Sequence, residues 1–186
     1  MKNDYAIRLA RKEDISNIME IERLSFALEI CEDEDVFLTR LNVFSDGFYV
    51  LEHNSRIAGY FCSEIWKFIK EPTPQRFIPG HSICDYHDVR GSELYISSMG
   101  LHPDYRGAGM GRYMFEQALD NVNKKHEYLK TGILIVSEKW EKAIQIYKKY
   151  GFQELFAVNN FFEYKGKQAE KGIVMRCYIK TRESNQ

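Results

Sequence analysis

The stretch from Glu93 to Leu119 constrains this chain most, because a strand pattern, a glycine-rich loop and a helix pattern follow one another there without a break. Residues 94–101 are apolar enough for a strand, and the glycines at 107, 109 and 111 open directly into an amphipathic helix, predicted to run over about 109–125. Glycine lets the backbone approach an anion closely, and the first N–H groups of a helix lack intrahelical partners. The layout therefore predicts a phosphate-binding loop.

The spacing of the glycines separates this loop from two common phosphate motifs. A Walker loop would end in Gly-Lys-Ser/Thr, and this loop has no lysine. A dinucleotide fingerprint has the spacing G-x-G-x-x-G, which disfavours a nucleotide-binding domain of another kind. The pattern that fits is Arg-x-x-Gly-x-Gly, formed by Arg106, Gly109 and Gly111. It resembles the acetyl-CoA signature of the GCN5-related N-acetyltransferase (GNAT) superfamily.

A second motif strengthens this resemblance. The run from Ala143 to Phe152, with Tyr147 and Gly151, is similar to the A-x-x-x-Y-x-x-x-G-F ending of the superfamily. The resemblance implies an α/β (α+β) fold with a single mixed, mostly antiparallel central sheet flanked by helices. Within the superfamily, a strand ending near Trp66, a long loop and the central strand look most like the arylalkylamine N-acetyltransferases.

Composition bounds the class of protein. The chain has 186 residues, 44% hydrophobic and 28% charged, which predicts a single domain over residues 1–180 with a frayed tail at 181–186. A net charge of −1 gives no general attraction to nucleic acid or membrane, so neither is expected as a partner. Four scattered cysteines and a polar N terminus predict a cytoplasmic protein. A homodimer is left open, since members of the superfamily often dimerise.

Periodicity predicts the remaining elements. The segment from Ala27 to Asp35 is strongly acidic, and we expect either a solvated helix start or an electrostatic attraction for a cationic amine. The predicted helices and strands are a strand at Tyr5–Leu9, a helix to about Ser25, a second helix through Leu41, a hairpin of residues 48–52 and 57–62 that runs on to Ile69, a long connection over 71–91, a strand at 131–136, a helix at 140–150, and strands at 153–164 and 172–179.

The resemblance also implies how acetyl-CoA would be held. The pyrophosphate would lie on the loop amides, with charge-assisted contacts from Arg106 and Arg112. The pantetheine arm would run along the central strand, where a bulge would leave the Met99 N–H to meet the thioester oxygen. Gly109 should tolerate a side chain least. The implied contacts are Ser98, Met99, Gly100, Leu101, Arg106, Gly107, Ala108, Gly109, Met110, Gly111 and Arg112.

Tyr147 matches the tyrosine that the superfamily often uses as general acid. Proton transfer from a phenol, with an ordinary pKa near 10, to a thiolate, with an ordinary pKa of about 8.5, is only slightly unfavourable in free energy. The alternative interpretation is a core aromatic residue on a helix face.

The general base is where this chain departs from the best-known members. Tyr95 stands where histone-acetylating relatives carry glutamate, and Ser97 where arylalkylamine relatives carry a second histidine; neither is a ready base at neutral pH. Strand alternation puts Glu93, Tyr95, Ser97 and Met99 on one face, so Glu93 is the nearest carboxylate, acting through water. The alternative interpretation is that Glu93 is a solvated residue at the start of the strand. The rivals in the preceding loop are His81, Asp85, His87 and Asp88.

The same loop contains H-x-x-C-x-x-H, but a zinc site usually closes with four ligands, so no metal is expected. The loop is expected to shape the acceptor pocket, with Phe26 and Tyr95 as substrate-binding residues beside Trp66 and Tyr86. The function predicted is an acetyl-CoA-dependent N-acetyltransferase that acts on a primary amine, of a small molecule or of a peptide or protein. The alternative is an acyl-CoA-binding module without catalysis, which the missing base favours.

Overall fold

The computed structural model describes residues 5–179, in which seven strands form one sheet in the order β1-β2-β3-β4-β5-β7-β6. Every neighbouring pair is antiparallel except β4 and β5. This arrangement confirms the predicted fold class. The strands are β1 Tyr5–Leu9, β2 Phe48–His53, β3 Arg56–Trp66, β4 Glu93–Leu101, β5 Thr131–Ser137, β6 Gln153–Phe162 and β7 Glu170–Tyr178; the helices are α1 Ile15–Ser25, α2 Glu34–Val43, α3 Ile83–Tyr86, α4 Met110–Lys125 and α5 Glu141–Tyr150.

Helices cover both faces of the sheet because each carries one apolar stripe. On one face, Ile18 of α1 and Phe37 of α2 pack with Tyr60 of β3. On the other face, Phe115 of α4 packs in the main core with Ile96 of β4. The site described below lies where these two layers meet the middle of the sheet.

The boundaries differ from expectation mainly around the long connection. β3 ends at Trp66, not Ile69, because Trp66 is fully buried whereas the next three residues are exposed. The connection itself contains a 3₁₀ turn at Pro74–Phe77 and the short helix α3. The expected tail at 181–186 lies outside the described residues, so the domain boundary at 180 stays a prediction. No helix within residues 5–179 is long and apolar enough to cross a membrane.

The parallel strands β4 and β5 are paired over only three residues. Glu93–Tyr95 pairs with Thr131–Ile133, and the pairing stops there. β5 instead stays with β7 along its whole length, from Thr131 to Ser137. From Ile96 onward, the edge of β4 that faces β5 therefore has no sheet partner. A wedge opens between the two strands.

A bulge in β4 changes which side chains share a face. Cys62 pairs with Ser98 and Ser63 with Ile96, so Ser97 has no partner on β3. The expectation that Tyr95 and Met99 share one face is therefore wrong, because an extra residue reverses the alternation. Tyr95 stacks on Trp66, whereas Met99 packs toward the main core under α4.

Candidate active site

The wedge is the back of a cleft with a volume of about 720 Å³. One side is formed by the glycine loop and the start of α4, and another by α5. The α1–α2 segment and the loop around Phe77 close the far end. The cleft thus joins a place for an extended ligand along β4 to the α1–α2 segment and the loop around Phe77.

The glycine loop presents unpaired amides to this cleft. Gly109 is the N-cap of α4 and has φ +79°, a left-handed conformation that favours glycine. The first turn has no acidic residue and no side-chain cap, so the N–H groups of Met110, Gly111 and Arg112 have no intrahelical acceptor. A Cβ placed on Gly109 would meet nothing within 4 Å, so the space in front of the amides is open. These features fit the pyrophosphate of a coenzyme A ester.

The two arginines of the loop have partners within the protein. Arg106 donates from Nε to the Leu101 carbonyl at 2.9 Å and from Nη2 to Ser25 Oγ at 3.0 Å. Arg112 pairs with Glu116 at 2.7 Å, one turn further along α4. Arg106 therefore braces the end of β4 against the end of α1, and whether either arginine also contacts a phosphate stays a prediction.

The predicted contacts on β4 lie along its free edge. Ser98, Met99, Gly100 and Leu101 all line the cleft, as does Ser97 at the bulge. Ser97 Oγ donates to the Cys62 carbonyl at 3.2 Å, which ties the bulge to β3. The bulge lies two residues before Met99, whose expected contact with the thioester oxygen remains a prediction.

Tyr147 combines a core ring with a position on the cleft. Its ring packs on Phe115, with centroids 5.1 Å apart, and on Phe152. It lines the cleft, and within residues 5–179 its hydroxyl has no hydrogen-bond partner. Burial raises the pKa of Tyr147, which makes the phenol a weaker acid than in water. Its hydroxyl is thus free to meet a ligand, and because desolvation in the same cleft also raises the pKa of a thiol, a leaving thiolate can still take its proton.

Glu93 does not reach the cleft. Its carboxylate is 2.7 Å from Arg176 Nε and accepts from Thr131 Oγ1 at 3.0 Å. Arg176 also donates to the carbonyls of Ile69 and Lys70, which follow β3 in the long connection. The geometry therefore favours a structural ion pair, and we do not propose Glu93 as the base.

The histidines of the long connection are held apart. His81 Nε2 lies 3.0 Å from Glu64 Oε1, while His87 Nδ1 accepts from the Ile65 amide at 3.2 Å. Cys84 is exposed. Asp88 accepts the Arg90 amide at 2.9 Å and, like Asp85, does not line the cleft. No group of three or more candidate ligands within the described part of the chain is arranged to hold a metal ion.

Both predicted substrate-binding aromatics line the cleft. Tyr95 is buried and stacks on Trp66, with centroids 3.9 Å apart, and burial raises its pKa. The Phe26 ring, just beyond α1, lies 5.4 Å from that of Trp140. The two side chains form opposite parts of an apolar wall, and their contact with a substrate stays a prediction.

Sequence reasoning missed a chain of hydroxyl groups that ends at a buried glutamate. The Tyr60 hydroxyl donates to Glu22 Oε2, and Ser98 Oγ lies 2.9 Å from the Tyr60 oxygen. Glu22 and Ser98 both line the cleft. Glu22 is only 1% exposed, and burial, partly offset by its hydrogen bonds, raises its pKa to about 7. The available signal was its place on the apolar side of α1, four residues after Ile18.

The acidic segment divides between surface and interior. Glu32 is buried, and Arg40 donates to its two oxygens at 2.5 and 2.7 Å. The Gly80 amide also donates to Glu32, at 2.6 Å, which joins the long connection to α2. The other acidic side chains of the segment are exposed, as the interpretation of a solvated helix start expects.

A model of the acetyltransferase (GNAT) domain family matches residues 45–154, more than half of the chain, including the glycine loop and Tyr147. The chain belongs to the GNAT acetyltransferase family. Membership confirms the predicted class, an acetyl-CoA-dependent N-acetyltransferase, and the predicted co-substrate.

Similar GNAT proteins are named as ribosomal-protein-alanine N-acetyltransferases or N-alpha-acetyltransferases. A Bacillus subtilis protein, provisionally named ribosomal protein bS18-alanine N-acetyltransferase, is 25% identical over 91% of this chain and 94% of its own. An N-alpha-acetyltransferase of Sulfurisphaera tokodaii is 25% identical, covering 86% of each chain. The crystal structure of the ribosomal-protein-S18-alanine N-acetyltransferase from Escherichia coli shares the fold, with a TM-score of 0.70 at 19% identity over 98% of both chains. The expected likeness to arylalkylamine N-acetyltransferases is not supported.

Proposed function

We propose that this GNAT enzyme transfers the acetyl group of acetyl-CoA to the α-amino group at the N terminus of a protein or peptide. The observation that carries the proposal is the cleft, in which the free edge of β4 and the glycine loop meet the α1–α2 segment and the loop around Phe77. The names of the similar proteins support this acceptor class.

The rim of the cleft, where the α1–α2 segment meets the loop around Phe77, suits a peptide. Leu28 and Ile78 are 81% and 51% exposed, and each lies beside residues that line the cleft. Exposed apolar side chains beside a cleft offer apolar surface to the side chains of a bound peptide. The α1–α2 segment and the long connection, which carry them, are held together by the bond from the Gly80 amide to Glu32. The rim can therefore take the first side chains of a peptide while the amine enters the cleft.

Different parts of the cleft have different roles in the proposed acetyl transfer. The amides at the start of α4 hold the pyrophosphate of acetyl-CoA, and the free edge of β4 holds the pantetheine arm, which brings the thioester to the middle of the cleft. The amine nitrogen attacks the thioester carbonyl carbon, the C–S bond breaks, and Tyr147 protonates the leaving sulfur. A proton from the nitrogen then restores the phenol as the amide forms.

The test is acetyl-CoA turnover on matched acceptors, with products identified by mass spectrometry. One set contains peptides with a free N terminus, and the second the same peptides with a blocked N terminus and a free lysine. A third contains arylalkylamines and polyamines. We expect acetylation of the first set only. Equal modification of blocked peptides or a preference for small amines would refute the acceptor class; tight acetyl-CoA binding without any product would favour the binding-module alternative.

A further inference from the structure

We infer that Glu22 is the proton acceptor of this reaction and that it takes the proton of the acceptor ammonium through the hydroxyls of Ser98 and Tyr60. An α-amino group has an ordinary pKa of about 8, so at neutral pH most acceptors enter the cleft protonated and without a lone pair. A base is therefore needed before the amine can attack. This relay presupposes the proposed function, since only an amine acceptor supplies that proton.

The order of the hydrogen bonds gives the relay a direction. Tyr60 has one hydroxyl proton, and it points to Glu22. The contact of 2.9 Å between Tyr60 and Ser98 must then use the proton of Ser98, which leaves the lone pairs of Ser98 Oγ for a donor in the cleft. An ammonium N–H is such a donor.

The transfer balances along this chain. The ammonium gives a proton to Ser98 Oγ, Ser98 gives its own to Tyr60, and Tyr60 gives its own to Glu22. The products are a neutral amine and a neutral carboxylic acid, with each hydroxyl still protonated and turned the other way. Glu22 later returns its proton to solvent.

Packing holds the relay in position. The Tyr60 ring is fully buried and lies over Gly100, where a Cβ would come within 2.6 Å of the ring. Ser98 faces Tyr60 because the bulge at Ser97 sets the alternation of β4. Ser98 is also the neighbour of Met99, where the thioester is expected. The open end of the relay is thus beside the expected position of the reacting carbonyl.

The groups around Glu22 leave it able to accept a proton. Its carboxylate accepts from the Tyr60 hydroxyl and from the Glu32 amide at 3.1 Å, and both donors are neutral. The Glu32 carboxylate raises the pKa of Glu22, and the more distant Arg40 lowers it. The Cys31 thiol donates to the backbone carbonyl of Glu22. Desolvation is the largest influence and raises the pKa of Glu22 to about 7, a suitable value for a base at neutral pH.

Glu32 is the other carboxylate that lines the cleft, and its partners exclude it from this role. Both of its oxygens are engaged by the permanent cation of Arg40, and one also accepts the Gly80 amide. Protonation of Glu32 would remove the closer of the two carboxylates that pair with the buried Arg40 guanidinium, which is costly. Glu22 has no comparable cation to lose.

The test compares the wild-type enzyme with Glu22→Gln, which keeps the shape and removes the base, and with Tyr60→Phe, which interrupts the relay. Glu20→Gln is the matched control, because Glu20 is exposed on the same helix. The readouts are kcat/KM against pH for an N-terminal peptide and the Kd of acetyl-CoA.

We expect the wild-type and Glu20→Gln enzymes to lose activity as the pH falls below about 7. In Glu22→Gln and Tyr60→Phe, kcat at neutral pH should fall by about 10²-fold or more, and activity should climb with pH until the amine itself deprotonates. The Kd of acetyl-CoA should not change.

Wild-type kcat and an unchanged pH profile in Glu22→Gln would overturn the relay while the proposed function stands. A parallel loss of acetyl-CoA binding and thermal stability would also overturn it, since that marks a structural role. Absence of acetylation by the wild-type enzyme on every acceptor would instead refute the proposed function, and the relay with it.

Discussion

Arg176 on β7 and Glu93 on β4 form a buried ion pair, with Nε and Oε1 2.7 Å apart, although 83 residues separate them in the sequence. The side chains are 10% and 2% exposed. The nearest carboxylate to the predicted base position is thus held by a permanent cation and does not line the cleft. Its contribution is to stability.

Glu93→Gln should lower the free energy of unfolding by about 1 kcal/mol at most, because the Arg176 guanidinium loses a charged partner while the burial that raises the pKa of Glu93 no longer opposes folding. Urea denaturation measures this, and Glu154→Gln, at an exposed position on β6, should stay within about 0.5 kcal/mol of wild type. In Glu93→Gln, the fall of kcat/KM at acid pH should have the same midpoint as in the wild-type enzyme. A stable Glu93→Gln enzyme without that fall would restore Glu93 as the base.

Gly109→Ala should weaken acetyl-CoA binding about tenfold or more, a loss of ~1.4 kcal/mol, because its Cβ would fill the space in front of the α4 amides. Gly166→Ala is a matched control. Its φ is +72°, close to the +79° of Gly109, and a Cβ there also meets nothing. Both variants should lose ~1 kcal/mol of stability from backbone strain, but only Gly109→Ala should lose affinity by titration calorimetry. Equal affinities would place the pyrophosphate elsewhere.

Tyr147→Phe should reduce kcat by about 10²-fold or more while the Kd of acetyl-CoA stays unchanged, because the leaving sulfur loses its proton donor. Tyr49→Phe controls for loss of a buried phenol. Tyr49 lies in the same core, its buried hydroxyl has no hydrogen-bond partner among residues 5–179, and burial raises its pKa to about 12. Steady-state kinetics on both variants would show the difference; a Tyr147→Phe enzyme as fast as Tyr49→Phe would assign Tyr147 to the core alone.

Glu22→Gln should change how stability depends on pH. The pKa of Glu22 rises from its ordinary 4.5 to about 7 on folding, so its stabilising contribution is complete below pH 4.5 and is lost as the pH rises through 7. The glutamine variant cannot lose it. Relative to wild type, Glu22→Gln should therefore gain up to ~3 kcal/mol between pH 5 and pH 8.5.

Denaturation curves for the two proteins at matched pH values test this, with Glu20→Gln expected to follow wild type. A constant difference between wild type and Glu22→Gln across that range would mean that Glu22 titrates at its ordinary pKa.

Local patterns predicted most of the fold. β1 begins and ends where expected, and β4 and α4 start within one residue of prediction, because apolar periodicity and glycine placement act over neighbouring residues. The phosphate-binding loop was predictable for the same reason: glycine spacing and the start of a helix are both local. The end of β3 was missed by three residues, since burial of Trp66 depends on distant parts of the chain.

The site itself was only partly predictable. Tyr147 and the glycine loop were found by motif, and both line the cleft. The single-residue bulge at Ser97 changed the face of every later residue of β4, and no local pattern marks it. Strand alternation without the bulge consequently placed Glu93 on the same face as Met99 and predicted it as the base.

The sequence alone determined the order of the elements, the glycine loop and the superfamily resemblance, because each depends on residues close together along the chain. The tertiary structure decided which carboxylate meets the cleft. Glu22 and Tyr60 are 38 residues apart, as are Tyr60 and Ser98, and only helix packing on one face of the sheet, with β3 beside β4, brings the three together. Burial at that meeting point then raises the pKa of the Glu22 carboxyl, which depends on surroundings and not on residue type.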